Sequence, residues 1–175
     1  MIWSKAHRFD PACAELADRH YSRQTIGSPQ FAPPGRCLVL SAPCAYWVTS
    51  WPFVEYVKHK WAGAWMCSAF RREGGDVPAA AMIRQAVAAT RAHYGEPPDL
   101  GMVTFIDRSK VPPLHTRKGD VWGYTYRKAG FLEVGETAGG LLALQLAPGA
   151  MPEPERAIGD QVPLWTRQQQ AGATK

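Results

Sequence analysis

Two short stretches of this sequence carry the residue types that bind anions and move protons. Arg71-Arg72-Glu73-Gly74-Gly75-Asp76 falls between a predicted strand and the start of the clearest predicted helix. A helix N-terminus presents free backbone N–H groups and a partial positive charge, glycines let phosphate approach the backbone, and arginine grips phosphate with a planar fork. Arg71, Arg72, Gly74 and Gly75 are therefore candidates for holding an anionic cofactor. The second stretch, Tyr126-Arg127-Lys128-Ala129-Gly130-Phe131, reads as a short helix turning through glycine into a strand. Between the two, Asp107 closes a predicted parallel strand, where open mixed sheets gather their ligands. Its carboxylate can serve as a base toward an amine or order the turn that follows.

Charge concentrates beside these residues. Segment 107–128 holds Arg108, Lys110, Arg117, Lys118, Arg127 and Lys128 against Asp107 and Asp120, so four of the chain's five net positive charges fall within it. A basic track next to a candidate site suits a polyanion. Trp122, flanked by Gly119 and Gly123, is expected to be exposed there. The other aromatic concentration (Tyr46, Trp47, Trp51, Phe53, Tyr56, Trp61, Trp65) reads mainly as core, because alternate aromatic residues in strands usually fill one. The five histidines are dispersed, and the four cysteines show no Cys-x-x-Cys, so no metal site is predicted and the thiols are read as packed side chains.

The elements that must position these residues follow from periodicity and breakers. Asp10-Pro11 starts a helix with Cys13, Leu16, Ala17 and His20 on one face. Residues 22–36 carry too many prolines and glycines for helix or strand and read as a long ordered loop. A hairpin follows, 37–42 and 45–51, turning at Pro43-Cys44, then a strand over 61–70. Asp76 and Pro78 open an alanine-rich helix to about Tyr94, stopped by Gly95. Residues 100–106 read as a buried strand, 107–128 as irregular with a short helix at its end, and 131–134 with 141–147 as a final hairpin. Strand, helix, strand in the middle implies one parallel pair. The fold class is α+β: a mixed, mostly antiparallel sheet with a central parallel pair and flanking helices. With 175 residues, 46% of them hydrophobic and 20% charged, one domain over 1–150 with an extended tail over 151–175 is the economical division. No apolar run approaches the roughly 20 residues that span a bilayer, and the first five residues lack an export signal's character. A cytoplasmic protein with no membrane partner is expected.

The element order and the Tyr126–Phe131 hexapeptide resemble the GNAT acyltransferase superfamily. That resemblance implies acetyl-CoA or another anionic acyl donor at Arg71-x-x-Gly74, although Asp76 stands where the family's loop has glycine or alanine. It also implies that Tyr126 protonates a departing thiolate. A narrower resemblance covers residues 14–146: His20-Tyr21-Ser22-Arg23, Phe70-Arg71, the strand ending in Asp107, and Tyr126 to Phe131 look like the Mom DNA-modification proteins of bacteriophages. It implies a transferase that adds a small group to a base amine in DNA, adenine above all, and so protects the DNA from restriction. Tyr126, Asp107 and Tyr21 would be catalytic. An enzyme working on a duplex base must extrude it, so Tyr21 would stack on the base and Arg23, Arg108, Lys110, Arg117, Lys118 and Trp122 would hold the DNA. Two other functions fit the same residues: an acetyl-CoA-dependent N-acetyltransferase on a small amine or protein, and a non-catalytic DNA-binding or anti-defence protein of GNAT-like fold.

Overall fold

The computed structural model describes residues 1–160. In chain order its elements are β1 (Ser4–Ala6), α1 (Pro11–Asp18), β2 (Cys37–Ala42), β3 (Ala45–Ser50), β4 (Trp65–Arg72), α2 (Ala79–Tyr94), β5 (Met102–Ile106), β6 (Leu114–Thr116), β7 (Gly119–Val121), α3 (Tyr124–Lys128), β8 (Leu132–Glu136) and β9 (Leu142–Leu146). Seven strands form one sheet in the order β1-β2-β3-β4-β5-β9-β8, and β6 pairs with β7 apart from it. Every neighbouring pair is antiparallel except β4 and β5. The α2 crossover is what makes that pair parallel, since a strand can return alongside its predecessor only by a long connection. The class is thus mixed α+β with a mostly antiparallel sheet.

The helices cover opposite faces of the sheet. Asp10 caps α1 through a bond from Cys13 N at 2.9 Å, and Pro11 occupies its first turn. Cys13, Leu16 and Ala17 then pack on Val39, Tyr46 and Val48. On the other face, α2 presents Met82, Ile83, Ala86, Val87 and Ala89 to Trp47, Trp65, Leu38 and Leu40. Its small alanine side chains let the helix lie close enough for Thr90 Oγ1 to reach Thr49 Oγ1 at 3.0 Å, which also accepts from Trp47 Nε1 at 2.6 Å. That buried polar chain ends on the Ala86 carbonyl, so none of its hydroxyls is orphaned. Burial of a large side chain such as Trp47, whose Nε1 is satisfied, contributes on the order of 2–3 kcal/mol.

Several expectations are corrected here. The helix α2 starts behind Pro78 without a side-chain cap, so Asp76 does not cap it. The strand expected from residue 61 starts at Trp65, with 61–64 forming a turn that buries Trp61. Phe53 and Tyr56 lie exposed, outside the core. Segment 107–128 contains the β6–β7 hairpin as well as α3. Strand β1, invisible as a three-residue element, is held by β2 on one side and by returning residues on the other, where Lys5 N donates to Ile158 O at 2.8 Å. Met151 and Ala157 are buried and the Asp160 side chain, 3% exposed, bonds Lys5 Nζ and His93 Nδ1, so residues 151–160 pack on the domain. The rest of the expected tail lies outside the described residues. Among those described, no helix is long and apolar enough to cross a membrane.

Candidate active site

The parallel pairing of β4 and β5 lasts three residue pairs, Trp65–Met102 to Cys67–Thr104, and then stops. The cause is local. Against β3, Val48 pairs with Ala69 but Thr49 with Cys67, so Ser68 is an extra residue in β4. Such a bulge bends and twists its strand. Beyond it β4 follows β3 to Arg72 while β5 runs alongside β9 to Ile106. The gap is a cavity of about 520 Å³, within the range of small-molecule sites.

Its walls include residues of three elements and of the chain after α1. Cys67 to Phe70 and Arg72 come from β4, Thr104 to Ile106 from β5, Tyr21 from the chain after α1, and Tyr124 to Tyr126 from α3. Helix α3 is set against the sheet through Gly123, at φ 65°, where a Cβ would lie 2.4 Å from Leu144 Cδ1 and 2.5 Å from Ile106 Cδ1. A groove of about 500 Å³ between α2 and α3 adjoins the cavity through Ala79, Tyr124 and Thr125, and is bordered by Arg84 and Lys128.

Tyr126 is half-buried, its ring edge-on to Phe70 and Phe131, and its hydroxyl lies 3.4 Å from Cys67 Sγ. Desolvation, reinforced by the thiol, raises its pKa well above the usual phenol value. The same desolvation pushes Cys67 up to about 12, so both groups keep their protons at neutral pH. Thr104 Oγ1 donates to the Cys67 carbonyl at 3.2 Å and completes the cluster. Tyr21, 38% exposed, donates from its hydroxyl to the Phe105 carbonyl at 3.4 Å and stacks on His20 with centroids 4.6 Å apart. Tyr126 and Tyr21 thus line the same cavity.

Asp107 stands at the end of β5 but is engaged in its own turn. Its Oδ1 accepts from Ser109 N at 3.0 Å and Ser109 Oγ at 2.6 Å, and Lys110 Nζ lies 3.6 Å from Oδ2. These bonds hold its carboxyl below the usual range, which weakens it as a base and favours the ordering role.

The anion-binding candidates divide. Adjacent strand residues point to opposite faces. Arg71 reaches the α1 side, bonding Glu73 Oε1 at 2.6 Å and the Arg19 carbonyl at 2.5 Å, whereas Arg72 lines the cavity beside Ala79. Hydrogen bonds from Arg19 and Arg71 pull Glu73 down to about 2, so it stays ionised and occupies both guanidiniums. A Cβ on Gly74 or Gly75 would meet nothing within 4 Å, the Gly75 carbonyl accepts from Arg72 Nη2, and neither glycine lines the cavity or the groove. Arg71, Arg72, Gly74 and Gly75 therefore do not converge on one anion. Arg72 has a buried Nε without a partner among the described residues, and with the uncapped first turn of α2, Arg84 and Lys128 it fits an anionic group better.

Among the nucleic-acid candidates, Arg108 pairs with Glu136, and Lys110 pairs with Asp107. Arg117 and Lys118 occupy the tip of the β6–β7 hairpin, whose Leu114 and Val121 border the cavity mouth, and have no ion pair among the described residues. Trp122 is half-buried, donating Nε1 to the Val111 carbonyl at 2.9 Å, and is not an exposed platform. Arg23 is also redirected. Its side chain, 9% exposed, bonds Asp18 Oδ1 at 2.8 Å, the Gln30 carbonyl at 3.0 Å and the Ser28 carbonyl. It ties down the 22–36 loop and is not presented to phosphate. Arg23→Ala is accordingly expected to make thermolysin cut within residues 24–35 several times faster than in the wild type. Equal cutting rates would show that other contacts hold the loop.

Ser68, Thr104 and Tyr124 went unread in the sequence, and Cys67, buried as its reading as a packed thiol expects, was not foreseen at the site. Cys67 and Tyr126 are 59 positions apart, and no local pattern reports such a contact. Among the described residues, no cluster of three or more His, Cys, Asp or Glu side chains is placed to hold a metal ion. Comparison with protein-family models, with curated proteins and with solved structures gives no match to this chain.

Proposed function

We propose that this protein is a GNAT-like transferase that adds a small group to a base amine in DNA, in the manner of the Mom modification proteins. The observation that carries this reading is the cavity opened by the diverging parallel strands, lined by Tyr126 and, through Leu114 and Val121, by the base of the hairpin whose tip carries Arg117 and Lys118. The groove between α2 and α3 suits the donor. Arg72, Arg84, Lys128 and the first N–H groups of α2 would hold its anionic part, and a thioester donor bound there supplies an activated carbonyl and a thiolate leaving group. Tyr126 holds its proton at Oη at neutral pH, as an acid for a departing anion must. The amine enters from the other end of the cavity, past Tyr21, and gives up its proton to solvent. Arg117 and Lys118 contact the phosphate backbone.

Mass spectrometry of nucleosides from the DNA of cells expressing the protein tests this. A mass-shifted nucleoside, absent from cells making Tyr126→Phe, is the expected result. Unmodified DNA in the presence of folded protein and a thioester donor overturns the reading.

A further inference from the structure

A second cavity, of about 450 Å³, lies beneath the 22–36 loop on the α1 side of the sheet and has no part in the proposal above. Its floor is Tyr46 and Val48 of β3 with Ser68 and Ala69 of β4. Tyr46 is 2% exposed and lines the cavity; no hydrogen bond among the described residues engages its hydroxyl, which is not one of the fully buried unpartnered groups and so meets open space. The loop above is built before any ligand arrives, because Arg23 clamps it to Asp18 and to two of its own carbonyls.

The chemistry of the walls narrows the occupant. No carboxylate lines this cavity, and the charge of its one guanidinium, Arg23, is paired with Asp18. His20 is neutral: its Nδ1 accepts from Ser22 N at 3.2 Å, and burial together with the nearby Arg71 charge pulls its pKa down to about 4. The remaining polar groups are hydroxyls and amides, those of Gln24, Thr25 and Gln30 among them, and the Phe31 ring stands edge-on to Tyr46 at 5.8 Å. Such a site rejects phosphates and free amines, which would lose their hydration without gaining a counter-charge. It suits a flat, uncharged heterocycle with donors and acceptors on its rim. The cavity also shares His20, Ser68 and Ala69 with the reaction cavity, so an occupant sits next to the transfer chemistry.

We propose that the cavity under the 22–36 loop is a seat for an uncharged nucleobase, with the Tyr46 hydroxyl bonded to the base edge. The inference rests on the transferase reading for its source of the base, a nucleotide extruded from DNA; a free nucleoside offers the same chemistry.

Titration of the wild type, Tyr46→Phe and Gln24→Ala with adenosine and with cytidine, followed by calorimetry, tests the seat. At least one nucleoside should bind the wild type, and Tyr46→Phe, which keeps the ring, should weaken it about fivefold to tenfold, the loss of one hydrogen bond. Gln24 is exposed on the loop, so Gln24→Ala reports on the same seat without touching the core. The second arm measures modified nucleoside formed on a single-stranded oligonucleotide, where Tyr46→Phe should lower the yield at unchanged oligonucleotide affinity. Absence of nucleoside binding to the wild type, or equal binding by all three proteins, overturns the seat even if DNA is modified. Nucleoside binding that depends on Tyr46 in a protein that modifies no DNA upholds the seat and removes the transferase reading.

Discussion

Replacing Tyr126 by phenylalanine is expected to slow base modification by about a hundredfold or more, the usual scale of a lost general acid, while the protein stays folded and bound to DNA. The ring's edge contacts with Phe70 and Phe131 survive the change, and what the hydroxyl gives up is its 3.4 Å contact with Cys67 Sγ and its interaction with Thr104. Stability should therefore change little. The chemistry should change greatly, because the neutral phenol has a proton to give to a departing thiolate and phenylalanine has none, while a phenol that desolvation keeps protonated cannot take a proton from an amine. Initial rates of modified nucleoside formation at saturating oligonucleotide, set beside melting temperatures, check both halves. A rate within threefold of the wild type would remove Tyr126 from the mechanism.

How far the sequence alone could reach is clearest around this tyrosine. The hexapeptide from Tyr126 to Phe131 was legible as helix, glycine and strand, because each is a local preference. The alanine-rich α2 and the hairpin turning at Pro43-Cys44 were legible for the same reason. What lay beyond reading was set by pairing over long distances. The Ser68 bulge has no sequence marker, since an extra residue is defined only against the partner strand β3. Without the bulge there is no divergence of β4 from β5, and without the divergence Tyr126 and Tyr21 share no cavity. Arg71 and Arg72 illustrate the same limit: as neighbours in a presumed loop they looked like one clamp, but strand geometry sends them to opposite faces. Arg23 failed for a different reason. An arginine in a long loop offers itself equally to phosphate and to carbonyls, and the loop's own carbonyls were nearer.

The largest effect on the fold is expected at Gly101, just before β5. Its φ of 62° lies in the left-handed region, and a Cβ there would stand 2.1 Å from the Leu146 carbonyl oxygen, a backbone atom with no freedom to rotate away. Gly101 also accepts from Trp65 N at 2.9 Å, so the residue joins β4, β5 and β9 at the root of the diverging pair. Gly101→Ala must push β5 away from β9 or break the parallel pairing, and it is expected to cost at least about 3 kcal/mol, in the upper range for a single substitution. Gly140→Ala is the matched control: φ is 80°, but nothing lies within 4 Å of the added atom, so only the backbone penalty of about 1–2 kcal/mol applies. Urea unfolding of the two variants and the wild type, compared at equal slope, separates the clash from the backbone term. Equal midpoints for the two variants would mean that β9 yields freely. If instead Gly101→Ala is the less stable, its modification rate measured where it is still folded should also fall, because the strand it displaces carries Thr104 and forms one wall of the cavity that holds Tyr126.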